Sequence, residues 1–160
     1  MTCIIAHRDG WMVADRRVTF NGGLIGPYRN RKILSGPGIL VGCAGDSVLR
    51  TVLTEAMASC TGAGQALQCV ARAIRELPQQ RGHALLVTRE HGLVEIDSLG
   101  HCHELESEYW SIGSGYHLAL GWLAGRCGGH AVRPEHAVQA ISFASEHVND
   151  VGDGTCVEVL

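Results

Sequence analysis

Lys32 is the only lysine in the chain, and the twelve other Lys/Arg positions are arginine. A sequence so biased to arginine keeps one ammonium for a purpose that guanidinium does not meet. The lysine charge is compact and its pKa falls on burial, whereas arginine stays charged in proteins. The second residue of chemical interest is Thr2, directly behind Met1. Removal of the methionine would leave Thr2 with a free α-amine beside its own hydroxyl. An N-terminal threonine of this kind is a self-activating nucleophile, because its amine serves as the base. His101-Cys102-His103 raises a metal reading, since alternate residues of a strand share a face. Tetrahedral zinc needs more ligands than these, so a polar, exposed strand end is the expectation. Gly42–Gly45 is not a phosphate loop, because no Gly-Lys-Ser/Thr follows it.

The 160 residues fit one domain, 1–160, with a sizeable core. Hydrophobic residues at 46% and charged residues at 18% are the balance of a globular chain. The net charge of -3 gives no electrostatic reason to expect a nucleic acid or an anionic membrane as partner. No segment approaches the ~20 apolar residues of a membrane span, and the start lacks the basic and apolar regions of a signal peptide. The seven cysteines are odd in number, scattered and without a CxxC. Free thiols in a reducing cytosol are therefore expected, and with them a cytoplasmic protein.

Thr2 and Lys32 must be positioned by the elements around them. Thr2–His7 is a β-rich run, Asp9-Gly10 is a hairpin signal, and Trp11–Asp15 returns as a second strand. Asn21–Pro27 is glycine-rich and reads as a loop. Lys32–Leu34 and Ile39–Ala44 form a second hairpin around Ser35-Gly36-Pro37-Gly38. Asp46 caps a helix over 47–60, with Val48, Leu49, Val52, Leu53, Ala56 and Met57 on one face. A second helix covers 65–77. Strands follow near 83–88, 93–97, 102–106 and 109–112, then a helix after Gly113-Ser114-Gly115, another over 134–148 that begins at Pro134, and a final strand. Strands, two helices, strands, two helices and a strand suit two antiparallel sheets stacked face to face, with helix pairs outside.

The motifs agree in order as well as in kind. Thr2, Ala14-Asp15-Arg16-Arg17-Val18-Thr19, Arg31-Lys32, Val41-Gly42-Cys43-Ala44-Gly45-Asp46 and Ile112-Gly113-Ser114-Gly115-Tyr116 together resemble a proteasome β-type subunit, in style nearest the HslV peptidase. The resemblance covers essentially the whole chain, with the first hairpin a few residues shorter than is usual. It implies the N-terminal nucleophile hydrolase fold, an α+β four-layer αββα sandwich.

The resemblance also implies roles. Thr2 is the nucleophile, with Asp15 and Lys32 as its activating pair. Gly42 offers the main-chain N–H for the oxyanion, and Ser114 bonds near the N-terminal amine. Asp150 matches the aspartate of the last loop. Asp153 stands where proteasome subunits carry serine, and a carboxylate there would raise the pKa of the amine. Thr19 and Ala44 supply backbone bonds to a peptide added as a strand. Val18, Leu40 and Ala44 line the first specificity pocket. A structural monovalent or divalent cation is implied on the main-chain carbonyls of Ser145, Val148 and Val151, and no cofactor is required for the reaction. The expected protein is a threonine-type endopeptidase in a homo-oligomeric ring, acting on unfolded polypeptide delivered by an ATP-dependent unfoldase. An inactive structural ring subunit and a small-molecule amidase on the same fold are the alternatives.

Overall fold

A computed structural model describes residues 2–20, 23–25, 32–77, 82–128, 130–149, 151–152 and 154–160. Short strands β1 (Ile4–His7) and β2 (Trp11–Asp15) are joined by the Asp9-Gly10 turn, where Gly10 has φ 93°. That left-handed conformation suits glycine and closes the tight hairpin. Strands β3 (Val18–Phe20) and β4 (Gly23–Ile25) pair with each other, Val18 opposite Ile25. Next come β5 (Ile33–Gly36) and β6 (Ile39–Gly45), then helices α1 (Ser47–Met57) and α2 (Ala63–Glu76). Strands β7 (Gly82–Thr88), β8 (Gly92–Ile96), β9 (Cys102–Leu105) and β10 (Tyr109–Ile112) follow. Helices α3 (Tyr116–Cys127) and α4 (Pro134–His147) and strand β11 (Thr155–Val159) complete the chain.

One antiparallel sheet runs β10-β1-β2-β11 and the other β5-β6-β7-β8-β9. Three apolar layers show how they stack. Ile4, Ala6, Met12, Ala14, Ile33, Leu40, Leu85 and Val87 fill the space between the sheets. The alternate strand residues Ile5 and Val13 pack with Ala119, Leu123, Ala140 and Ile141 of α3 and α4. Val41, Leu86 and Ile96 pack with Leu49, Leu53, Val70 and Ile74 of α1 and α2. Because strand side chains alternate, central strands such as β1, β2, β6 and β7 each feed two of these layers. Near-continuous apolar strands such as Ile39–Ala44 follow from burial on both faces. The result is the αββα sandwich.

Helix ends follow the sequence signals. Asp46 accepts a hydrogen bond from the Val48 N–H at 3.1 Å, and Pro134 opens α4. Two expectations differ. Part of the expected loop at Asn21–Pro27 carries β4, and the remainder of that segment lies outside the described residues. Val48 is 55% exposed, because it lies in the first turn of α1 on the solvent side, and the inward stripe begins at Leu49. Among the described residues no helix is long and apolar enough to cross a membrane.

Candidate active site

The end of β2 meets the start of β5 beside the beginning of the chain. Asp15, the last residue of β2, is wholly buried, and Lys32, just before β5, is 7% exposed. The Lys32 ammonium donates to both carboxylate oxygens of Asp15, at 2.8 and 2.9 Å. Charge-assisted bonds to both oxygens fix the ammonium in position. Asp15 Oδ1 also accepts the Cys3 N–H at 2.8 Å, and the Asp15 N–H donates to the Cys3 carbonyl at 3.1 Å. These bonds tie the residue after Thr2 to the ion pair, so the chain itself delivers Thr2 to this corner. Thr2 is buried there as well. Burial lowers the Lys32 pKa from its ordinary value, and the Asp15 carboxylate draws it partly back.

A turn between β10 and α3 grips Thr2 from the other side. Its carbonyl accepts the Ser114 hydroxyl and the Gly115 N–H, each at 3.4 Å. Gly113 has φ 95° and lies against the Thr2 carbonyl so closely that a Cβ could not be accommodated. Ser114 is thus next to Thr2, as expected, and its observed contact is with the carbonyl. The neighbouring thiols are poor rivals for the hydroxyl. Burial pushes the Cys3 pKa up to about 12 and that of Cys43 up to about 11. Both stay protonated at neutral pH, and the thiol form is a weak nucleophile.

Strand β6 corrects part of the expected substrate side. The Cys43 N–H donates to the Lys32 carbonyl at 3.1 Å, so it points toward β5. Main-chain groups alternate sides along a strand, hence the Gly42 N–H points the other way, to Leu85 of β7. The Gly42 N–H is thus engaged within the sheet, on the side away from Lys32. Its missing side chain serves packing: a Cβ would sit 2.8 Å from Ile4 Cγ2 and from Met12 Sδ of the facing sheet. By strand alternation Gly45, two residues beyond Cys43, falls on the Cys43 side, and it is exposed, with φ 148°. Ala44 pairs with His83 of β7, so its main chain also faces away from β5. Leu40 and Ala44 are 2% and 3% exposed between the sheets, which removes both side chains from an open pocket. Val18 and Thr19 lie on β3, with Thr19 opposite Leu24. Only their backbone is described.

The last loop reaches the same corner. The Gly152 N–H and the Arg17 N–H donate to Asp15 Oδ2 at 3.1 and 3.2 Å. Arg17 Nη1 donates to the carbonyls of Asn149 at 2.7 Å and Val151 at 3.1 Å. Gly152 packs directly on the Arg17 backbone, leaving no room for a Cβ. The expected cation cage fits poorly. The Val151 carbonyl holds a guanidinium, the Val148 carbonyl accepts the Val151 N–H at 3.0 Å, and Ser145 belongs to α4. Asp150 and Asp153 lie outside the described residues. His101 Nδ1 and His103 Nε2 each sit 3.2 Å from Asp97 Oδ2 at the exposed end of β8 and β9. No group of three or more His, Cys, Asp or Glu side chains among the described residues could hold a metal ion. The sequence reading missed the contacts that Arg17 and Gly152 make at this corner: Arg17 stood only as one member of the Ala14–Thr19 motif, and Gly152 carried no signal.

The two stacked sheets, the outer helix pairs and the strand order give the fold of the N-terminal nucleophile hydrolases. No family model and no curated protein matches the sequence. Solved structures do match in fold. Eukaryotic HslV from Trypanosoma brucei superimposes with a TM-score of 0.75 at 21% identity, over 99% of each chain. Thiobacillus denitrificans BPH in complex with epoxomicin gives 0.76 at 21% identity, over 100% of this chain and 98% of the other. A Gly-1 mutant of Anbu from Hyphomicrobium sp. strain MC1 gives 0.76 at 17% identity, over 100% and 81%.

Proposed function

We propose that the protein is a threonine-type endopeptidase that cleaves peptide bonds through an acyl-enzyme ester on Thr2. The observation that carries this reading is the buried Lys32 ammonium, held on both oxygens of Asp15 beside the start of β1. Once Met1 is removed, Thr2 has a free α-amine, a group whose unperturbed pKa of about 8 leaves a useful neutral fraction near pH 7. The amine takes the hydroxyl proton as Oγ1 attacks the substrate carbonyl. The Lys32 charge favours the forming alkoxide. The amine then returns the proton to the leaving nitrogen, and water hydrolyses the ester. The Gly45 N–H, in place of that of Gly42, is the donor for the oxyanion. Removing such a donor costs about 3–4 kcal/mol of transition-state stabilisation.

Like the HslV-type proteins it is similar to, the chain would work as a homo-oligomeric ring enclosing its sites, with unfolded polypeptide as substrate and an ATP-dependent unfoldase as partner. The test is hydrolysis of a fluorogenic peptide by a preparation whose intact mass shows the loss of Met1. Thr2→Ala is expected to abolish turnover while the melting temperature stays within about 3 °C. A preparation that retains Met1 quantitatively in its native host would support the inactive ring subunit instead.

A further inference from the structure

The last loop contains an arrangement that the peptidase reading does not itself require. The carbonyl oxygens of Asn149 and Val151 converge on a single nitrogen, Arg17 Nη1, at 2.7 and 3.1 Å. One positively charged atom thus bridges two main-chain oxygens after α4, as a bound metal ion would. The same residue is joined to the catalytic corner by its backbone. Its N–H and that of Gly152 share Asp15 Oδ2, and the Arg16 N–H donates to the Gly154 carbonyl at 3.1 Å. Gly152 lies so close to Arg17 that any side chain at position 152 would overlap it.

We infer that Arg17 is a built-in cation that organises the last loop in place of a metal ion, and that through Gly152 it positions Asp15 and hence Lys32. A guanidinium is always charged and cannot be chelated away. Its charge also repels a second cation from the same carbonyls. The protein should therefore need no metal for stability, in contrast to the cation that the family resemblance implies. A single donor atom serves both carbonyls, so a lysine ammonium can take over much of the role, whereas the similarly shaped but neutral methionine cannot. Arg17 touches neither substrate nor the reacting atoms in this scheme and is a positioning residue.

Two measurements on the full chain test this. In calorimetry, the wild type is expected to melt at the same temperature in tetramethylammonium chloride with EDTA, in sodium or potassium chloride of equal ionic strength, and with millimolar calcium or magnesium added. Arg17→Met is expected to melt about 5 °C lower, and Arg17→Lys to recover at least half of that loss. A wild type that gains several degrees from any of these ions would overturn the inference, as would equal melting of the Met and Lys variants. In peptide hydrolysis, which rests on the peptidase reading, Arg17→Met should lower kcat about tenfold or more with KM nearly unchanged, and Arg17→Lys should restore most of it. A rise in KM at unchanged kcat would contradict positioning. If the wild type hydrolyses no peptide, the peptidase reading fails, and the calorimetry still decides the role of Arg17.

Discussion

Asp15 carries more of the site than its single charge suggests. Its buried carboxylate accepts the Lys32 ammonium together with the main-chain N–H groups of Cys3, Arg17 and Gly152. It therefore joins the beginning of the chain, the end of β2 and the last loop. Removing one partner of such a buried pair leaves an uncompensated charge and costs about 3–5 kcal/mol. Lys32→Arg should be a sharper probe, since it keeps the charge but not the compact shape. We expect kcat to fall at least about a hundredfold in this variant with the fold retained, as judged by circular dichroism and peptide hydrolysis. The pH profile should carry the same signature. Burial lowers the Lys32 pKa, so the ammonium is lost at a lower pH than the ordinary value of 10.5. The alkaline limb of activity is thus expected below that pH, and a profile flat through it would show that the charge is not used. Lys32 and Thr2 were legible in the sequence because one is unique in type and the other unique in place. Arg17 was not, because its partner carbonyl on Val151 is 134 positions away.

At the scale of elements, strand β6 separates packing from chemistry by alternation. Gly42→Ala places a methyl group against Ile4 and Met12 between the sheets, an overpacking that costs about 1–3 kcal/mol. Its expected effect is a lower melting temperature with kcat nearly unchanged in the folded fraction. Gly45→Ala acts where φ is 148° and the N–H faces the Lys32 side, so its expected effect is on kcat. Equal losses of kcat in the two variants would show that the direction assigned to these N–H groups is wrong. The sequence motif placed the oxyanion donor at Gly42, because a motif match counts residues and does not see which edge of a strand each N–H addresses. That required the Cys43–Lys32 bond. The β1–β2 hairpin supplies a separate test. His7 is buried against Trp11, with ring centroids 4.9 Å apart, and accepts the Asp9 N–H on Nδ1 at 3.1 Å. Burial lowers its pKa from 6.5, with Asp9 and Glu108 opposing. The unfolded chain therefore binds the His7 proton first as pH falls below 6.5, and stability declines through that interval toward the lower folded value. Urea denaturation from pH 7 to 5 should show this slope, and His7→Phe should flatten it.

For the whole molecule, two sheets whose central strands are buried on both faces share one organised corner, where Thr2 meets β5, the β10–α3 turn and the last loop. The layer order was readable because apolar strands without polar alternation require cover on both sides, and the two helix pairs provide it. The ribbon of β3 and β4 was not, since its short strands lie in a glycine-rich stretch with no periodicity to read. The four-layer architecture gives Thr2 a fixed place, but the chemistry assigned to it depends on a free α-amine. The decisive measurement is reaction of the purified protein, shown by intact mass to begin at Thr2, with a peptide epoxyketone, followed by mass-spectrometric mapping of the adduct. One adduct per chain is expected, on Thr2 through both its hydroxyl and its amine, and none in Thr2→Ala. An unreacted Thr2, or an adduct carried by a cysteine, would contradict it.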